Sequence, residues 1–163
     1  MPQESSIFLK FISKFLKGIP MVEDSDFFKK KFIDYYNIDM SHIEELLLDE
    51  LKSGEILAIS VSDVESQIIL SSTGDEKFHQ ETIENNKTIS LIIDNAKSLK
   101  SEEKFVELKV TTDLRIQITR HIVWKRNLLL YIIFDIHKTN MALANNKIAN
   151  IIKNIESILN NDK

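Results

Sequence analysis

The 163-residue chain is 43% hydrophobic and 28% charged with a net charge of −4, the composition of one globular core and too short for two ordinary domains. It has no cysteine, which excludes disulfides, thiol catalysis and thiolate metal sites, and it has only three isolated glycines, Gly18, Gly54 and Gly74, which excludes glycine-rich phosphate cradles. The acidic balance supplies no global field for nucleic acid, so no nucleic-acid partner is expected.

The first element is a basic amphipathic helix in SSIFLKFISKFLKG, ended by Gly18 and Pro20. Ile7, Phe8, Phe11, Ile12, Phe15, Leu16 and Ile19 recur at helical spacing, with Lys10, Lys14 and Lys17 opposite. The face built from Phe8, Phe11, Ile12 and Phe15 with its lysine flank suits either an anionic membrane surface or packing on the neighbouring helix, the domain or a partner protein. The start MPQESSIFLKF lacks a secretory pattern and Pro2 excludes myristoylation, so the expected location is cytoplasmic, with a peripheral membrane contact open to this helix. A second helix, Asp24 to about Tyr36, sets Phe27, Phe28, Phe32, Tyr35 and Tyr36 on one broad face. Residues 1–40 thus form a helical extension, and residues 41–163 the compact domain.

That domain opens on a helix with a capping box at Ser41 and Glu44, an apolar run Ile43, Leu46, Leu47, Leu48, Leu51, and Gly54 as its stop. A hairpin follows. Leu57, Ile59 and Val61 are expected on one face of its first strand and Ile56, Ala58 and Ser60 on the other, less bulky face, as a closely packed helix requires. SDVES is the turn, and Ile68, Ile69 and Leu70 make the second strand. From about Glu76 to Lys100 runs one long helix whose seam, Phe78, Thr82, Asn85, Ile89, Ile92, Ala96 and Leu99, repeats at alternating spacings of four and three. Ile83, Leu91 and Ile93 lie off that seam, so the helix needs more than one apolar contact.

The strand from Phe105 to Val110 alternates Val106, Leu108 and Val110 inward with Glu107 and Lys109 outward, a pattern suited to a sheet edge. Thr111-Thr112-Asp113 turns into LRIQITRHIV, and WKRN turns into LLLYIIFDI, whose near-continuous apolar content places it at the sheet centre with both faces covered. This longest apolar run is about half of the roughly 20 residues a membrane span needs. The chain closes on a helix from about Asn140 to Asn160 with Met141, Ala144, Ile148, Ile151, Ile152, Ile155, Ile158 and Leu159 on one side.

The alternating LAISVS and QIILSS, the long helix around ISLIIDNAKSL, the strand LLLYIIFDI and the closing helix from TNMALANNKIANII, in this order, resemble the roadblock/LC7 family of the roadblock/longin superfamily. The resemblance covers roughly Ser41 to Leu159. It departs at the first hairpin turn, where the family often has Gly and this chain has Asp63-Val64-Glu65-Ser66. It implies an α+β fold: a five-stranded antiparallel sheet in the order 2-1-5-4-3, first and last helices on one face, middle helix on the other. It also implies a non-enzymatic protein without cofactor, pairing with itself or a related roadblock protein through the middle helix and third strand. Phe78, Thr82, Asn85, Ile89, Ile92, Ala96, Leu99, Phe105, Glu107 and Lys109 would then form the dimer interface, and the pair would scaffold or regulate a small Ras-type GTPase.

Other uses of the same pattern stay in view. The seam residues also suit a helix that merely covers its own sheet, with Asn85 a register-setting polar group in one case and a solvated one in the other. Trp124 is either a partner anchor or the plug of a small core. His42, His79, His121 and His137 form no ligand pair, and no serine sits in a GxSxG elbow, so neither metal nor catalytic site is expected. A PAS- or GAF-type sensor would break the middle connection into several short helices, and a longin-type trafficking adaptor would begin on its first strand. One long middle helix and a helix starting at Ser41 favour the roadblock order.

Overall fold

The computed structural model describes residues 24–100 and 102–161. The expected N-terminal helix, with Phe8, Lys10, Phe11, Ile12, Lys14, Phe15 and Lys17, lies outside the described residues. The elements are α1 (Asp24–Tyr36), α2 (Met40–Leu51), β1 (Ile56–Asp63), β2 (Ile69–Gly74), a 3-10 turn (Glu76–Phe78), α3 (His79–Ser98), β3 (Glu107–Thr111), β4 (Arg115–Val123), β5 (Asn127–Asp135) and α4 (Met141–Asn161). The strands form one antiparallel sheet in the order β2-β1-β5-β4-β3. Among the described residues no helix is long and apolar enough to cross a membrane.

β5 sits at the centre because every second residue on each face is apolar. Leu128, Leu130, Ile132 and Phe134 enter the main core, where Ile43 and Leu47 of α2 and Ile148, Ile151 and Ile155 of α4 cover them. Leu129, Tyr131 and Ile133 face the other way, with Phe78 and Ile89 over them. The two faces differ in chemistry. The α2/α4 layer is built of large apolar side chains, whereas β1 presents small residues, Ala58, Ser60 and Ser62, to α3.

Three local expectations are corrected. The cap of α2 is Asp39, whose carboxylate accepts from the Ser41 backbone N–H at 3.0 Å, so the capping box at Ser41 does not form. In β1 the register shifts between Ile56 and Ala58, making Leu57 a bulge; the extra residue reverses parity, so Ile56 joins Ile59 and Val61 in the main core and Leu57 packs beside Ala58 instead. The broad aromatic face of α1 is split, Phe28 and Phe32 buried and Phe27 and Tyr35 exposed.

Gly74 fits this bulge. Its φ is +120°, and a Cβ there would lie 2.4 Å from the Leu57 carbonyl oxygen and 2.7 Å from the Ala58 Cα, so the β2 end can approach β1 only without a side chain. α1 terminates at Asn37 (φ 51°) in a Schellman arrangement, with Ile38 N–H donating to the Ile33 carbonyl (3.1 Å) and Asn37 N–H to that of Asp34 (3.3 Å). Phe32 and Ile38 both belong to the main core. The helix before residue 40 is therefore packed on the sheet layer and shares its core.

Candidate interaction surface

α3 lies over the sheet through a layer of directional contacts. Asn86 donates to Ser62 Oγ at 2.9 Å, Thr119 donates to Asn85 Oδ1 at 3.1 Å, and Arg115 pairs with Glu81 at 2.9 Å. Gln117 reaches the other Glu81 oxygen at 3.4 Å, and the Arg115 guanidinium stands 5.5 Å from the Phe78 ring centroid. Beneath them Tyr131 is buried beside Phe78; burial, with the Glu81 charge adding to it, pushes its phenol up to about 12. Ser60 Oγ, Asn85 Nδ2 and Asn86 Oδ1 are buried with no hydrogen-bond partner among the described residues. Such groups cost free energy unless water reaches them, so this layer is held by geometry more than by apolar burial.

The expected seam along this helix divides in two. Phe78, Thr82 and Ile89 are buried under their own sheet, and Asn85 is tied to β4. Farther along, Leu91 is 64% exposed, Ile92 39% and Leu99 80%, with Ala96 half-buried between them. α3 thus offers an outer apolar flank only over its C-terminal half.

β3 continues that flank. It is an edge strand, paired among the described residues only with β4. Leu108 is opposite Thr119 and Val110 opposite Gln117, and both β4 side chains bond to α3, so Leu108 and Val110 face the α3 side of the sheet. Leu108 and Phe105 pack against Ile89 and Leu129. Val110, and Val106 of the same parity, were expected inward but are 43% and 68% exposed, because α3 does not reach beyond the inner part of this strand. Glu107 and Lys109 point to the opposite side, where Arg120 donates to Glu107 through Nε at 2.8 Å and through Nη2. Ile92 and Leu99 are thus exposed on the helix and Val106 and Val110 along the neighbouring sheet edge, to either side of the packed Ile93, Phe105 and Leu108. Apolar exposure of this extent on a small domain marks an interaction site.

A second cluster had no sequence signal strong enough to find it. Asp63, fully buried at the β1 end, is gripped by Arg126 from the β4–β5 turn through Nε (3.1 Å) and Nη2 (2.8 Å). The Ser66 backbone N–H and hydroxyl also donate to Asp63, at 2.8 and 2.6 Å, and Glu65 takes the third guanidinium nitrogen at 3.1 Å. Phe32 and Tyr36 of α1 lie with their ring centroids 5.8 and 6.0 Å from the guanidinium carbon, and the Trp124 ring lies 5.7 Å from that of Tyr36, tilted by 58°. Trp124 packs on the main core, the role of a plug at the end of the sheet. Burial raises the Tyr36 phenol despite the nearby Arg126 charge. The acidic SDVES and basic WKRN turns were both visible; only the adjacency of β1 and β5 brings them together.

No protein-family model matches the chain, and no curated protein does. Solved structures do match. MglB from Myxococcus xanthus aligns at a TM-score of 0.64 and 13% identity over 77% of this chain and 92% of that one. The gliding protein MglB from Thermus thermophilus aligns at 0.58 and 12% identity over 74% and 90%. A Roadblock/LC7 domain from Streptomyces avermitilis aligns at 0.56 and 10% identity over 71% and 96%. At such identities the likeness concerns architecture: this chain has the roadblock/LC7 fold.

Proposed function

We propose that this protein is a non-catalytic, dimer-forming platform that scaffolds or regulates a small Ras-type GTPase in the cytoplasm. The observation that supports it most is the exposure of apolar Ile92 on α3 and Leu99 just past its end, together with Val110 on β3 and Val106 just before it. A second roadblock subunit related by a two-fold axis would cover that surface and extend the sheet past β3. In such a pair Asn85, Ile92, Ala96, Leu99, Phe105, Glu107 and Lys109 lie at or beside the joint, and Phe78, Thr82 and Ile89 support it from behind. The GTPase partner follows from the roadblock/LC7 resemblance; no contact residue for it is assigned.

A sensor role fits less well. α3 is one unbroken helix of 20 residues, and the main core between sheet and helices is filled by apolar side chains. An open groove of about 570 Å³ is lined by Glu45, Leu48, Asp49, Leu51 and Lys52 along α2. The test is capture of small Ras-type GTPases, loaded with GDP or with a non-hydrolysable GTP analogue, on the immobilised protein. Binding that depends on nucleotide state, or on the intact dimer, supports the platform. Absence of binding to any of them in both states, by a protein shown to be dimeric, removes the GTPase from the proposal.

A further inference from the structure

One stripe of α2 is left unused by the core. Ile43 and Leu47 are fully buried against the sheet, whereas Glu45, Leu48, Asp49 and Lys52, at i, i+3, i+4 and i+7, line an open groove together with Leu51. Leu48, 51% exposed, is the apolar centre of that stripe. Glu44 and Glu45 stand one turn before it, and side chains three and four apart on a helix are neighbours, so two carboxylates flank the leucine. The twelve residues of α2 hold four carboxylates, Glu44, Glu45, Asp49 and Glu50, and no lysine or arginine. Asp49 pairs at 2.6 Å with Lys52, just past the helix end, while among the described residues Glu44 and Glu45 form no ion pair. Glu45 and Asp49, four apart, also repel each other. This flank of α2 is therefore an exposed leucine beside negative charge that its own helix does not neutralise.

The chain itself carries the complementary segment. Residues 5–18, which lie outside the described residues, read in sequence as an amphipathic helix with Phe8, Phe11, Ile12 and Phe15 on one face, three lysines beside them and no carboxylate. Lys10, Lys14 and Lys17 follow one another at spacings of four and three, so they form a row that matches the row of carboxylates along α2. The tether allows the meeting. α1 and α2 both enter the main core and are joined through only Asn37, Ile38 and Asp39, and short connections make consecutive helices neighbours. Residues 19–23, which tie the basic segment to α1, extend to about 17 Å, nearly the roughly 18 Å length of α2. So short a tether keeps the local concentration of the segment high. An anionic membrane would also attract the lysines, but its charge would repel the acidic flank of α2 and a chain of net charge −4.

We propose that residues 5–18 dock within their own chain along the groove of α2, the apolar face over Leu48 and Leu51 and the lysines against Glu44, Glu45 and Asp49. The segment is then a strap on the domain, not a membrane anchor, and this holds whether or not the protein pairs or binds a GTPase. Ser53 is exposed just past α2, and Ser53→Cys supplies the only thiol of the full chain. A nitroxide attached there should broaden the amide signals of residues 7–18 in the same molecule. Hydrogen exchange of those amides should be about tenfold or more slower than in the isolated peptide of residues 5–18. Glu44→Lys with Glu45→Lys should remove the broadening and lower the protection about tenfold, with the circular dichroism of the domain unchanged. Adding Lys10→Glu and Lys14→Glu to that variant should restore both. Wild-type amides that are neither broadened nor protected overturn the docking, as does protection that charge reversal leaves intact. Broadening seen only between a spin-labelled chain and a separate isotope-labelled chain places the segment on a second copy and overturns it too. Cosedimentation with phosphatidylserine vesicles but not with phosphatidylcholine vesicles, accompanied by loss of the broadening, makes an anionic membrane the occupant instead.

Discussion

Replacing Ile92 and Leu99 with Asp separates a helix that serves a neighbour from one that serves only its own sheet. Fully burying a Leu or Ile side chain contributes about 1.5–3 kcal/mol. Scaled by the 39% and 80% of surface left open, these two positions offer about 2–3.5 kcal/mol per subunit and, doubled by symmetry, about 4–7 kcal/mol per dimer. Losing that term alone weakens association at least ~10³-fold, and the carboxylates add unpaired charge at the joint. Leu99 is mostly exposed in the single chain and its change should cost that chain only about 0.5 kcal/mol; Ile92, 39% exposed, also covers part of its own subunit and should cost about 1–2 kcal/mol there, less than the dimer loses. Sedimentation velocity from 1 to 100 µM, a range that brackets a ~µM dimer, with circular dichroism alongside, should show a folded monomer. The comparison variant is Ile89→Asp, at a fully buried position on the same helix, which should unfold the chain. An unchanged dimer mass for I92D/L99D refutes the interface; unfolding of I92D/L99D refutes the division of the helix into inner and outer flanks.

Four further outcomes follow from the geometry. Arg126→Met leaves the fully buried Asp63 carboxylate without its guanidinium and should cost about 3–5 kcal/mol in urea unfolding, whereas Asp63→Asn with Arg126→Met should recover part of that loss. Gly74→Val should destabilise the β1–β2 hairpin, because its Cβ would fall 2.4 Å from the Leu57 carbonyl at a φ of +120°; a melting temperature equal to wild type counts against the bulge. The Tyr131 phenol is raised to about 12, so its neutral form stabilises the fold below the unfolded value near 10 and that contribution is lost as pH rises toward 12; Tyr131→Phe should abolish this part of the alkaline unfolding and the highest step in a tyrosine absorbance titration. Hydrogen bonds from Ser41 hold the Asp39 carboxyl below its ordinary value, so Asp39→Ala should lower the melting temperature at neutral pH, with the gap narrowing as pH falls below about 4 and closing once wild-type Asp39 is protonated.

The reach of sequence patterns here has physical limits. A continuous apolar run announced β5 as central, and Gly54 marked the end of α2, because one face-independent signal decided each. The seam on α3 was harder. A four-three repeat drifts by about 20° per heptad around a straight helix, so Phe78 and Thr82 begin facing the sheet and Ile92 and Leu99 finish on the flank. Spacing alone finds the stripe without telling where it leaves the sheet. The Leu57 bulge was hidden because an inserted residue leaves an alternating apolar run looking regular, while reversing which side Ile56 takes. Five aromatic residues crowd α1, and their number concealed that only Phe28 and Phe32 turn fully inward. Asp63 and Arg126 lie 63 positions apart, and their meeting depends on strand order, which local pattern does not encode.

The hydrogen-bonded layer beneath α3 has a consequence for whatever meets this protein. Greasy contacts tolerate a helix sliding a fraction of a turn, but Ser62–Asn86, Thr119–Asn85 and Arg115–Glu81 lose their bonds within an ångström or so of displacement. The height and tilt of the outer flank are thereby indexed to the strands below, and two subunits meeting across it would do so at a reproducible angle. A visitor that spans both halves would then encounter a fixed shape, assembled in advance of its arrival.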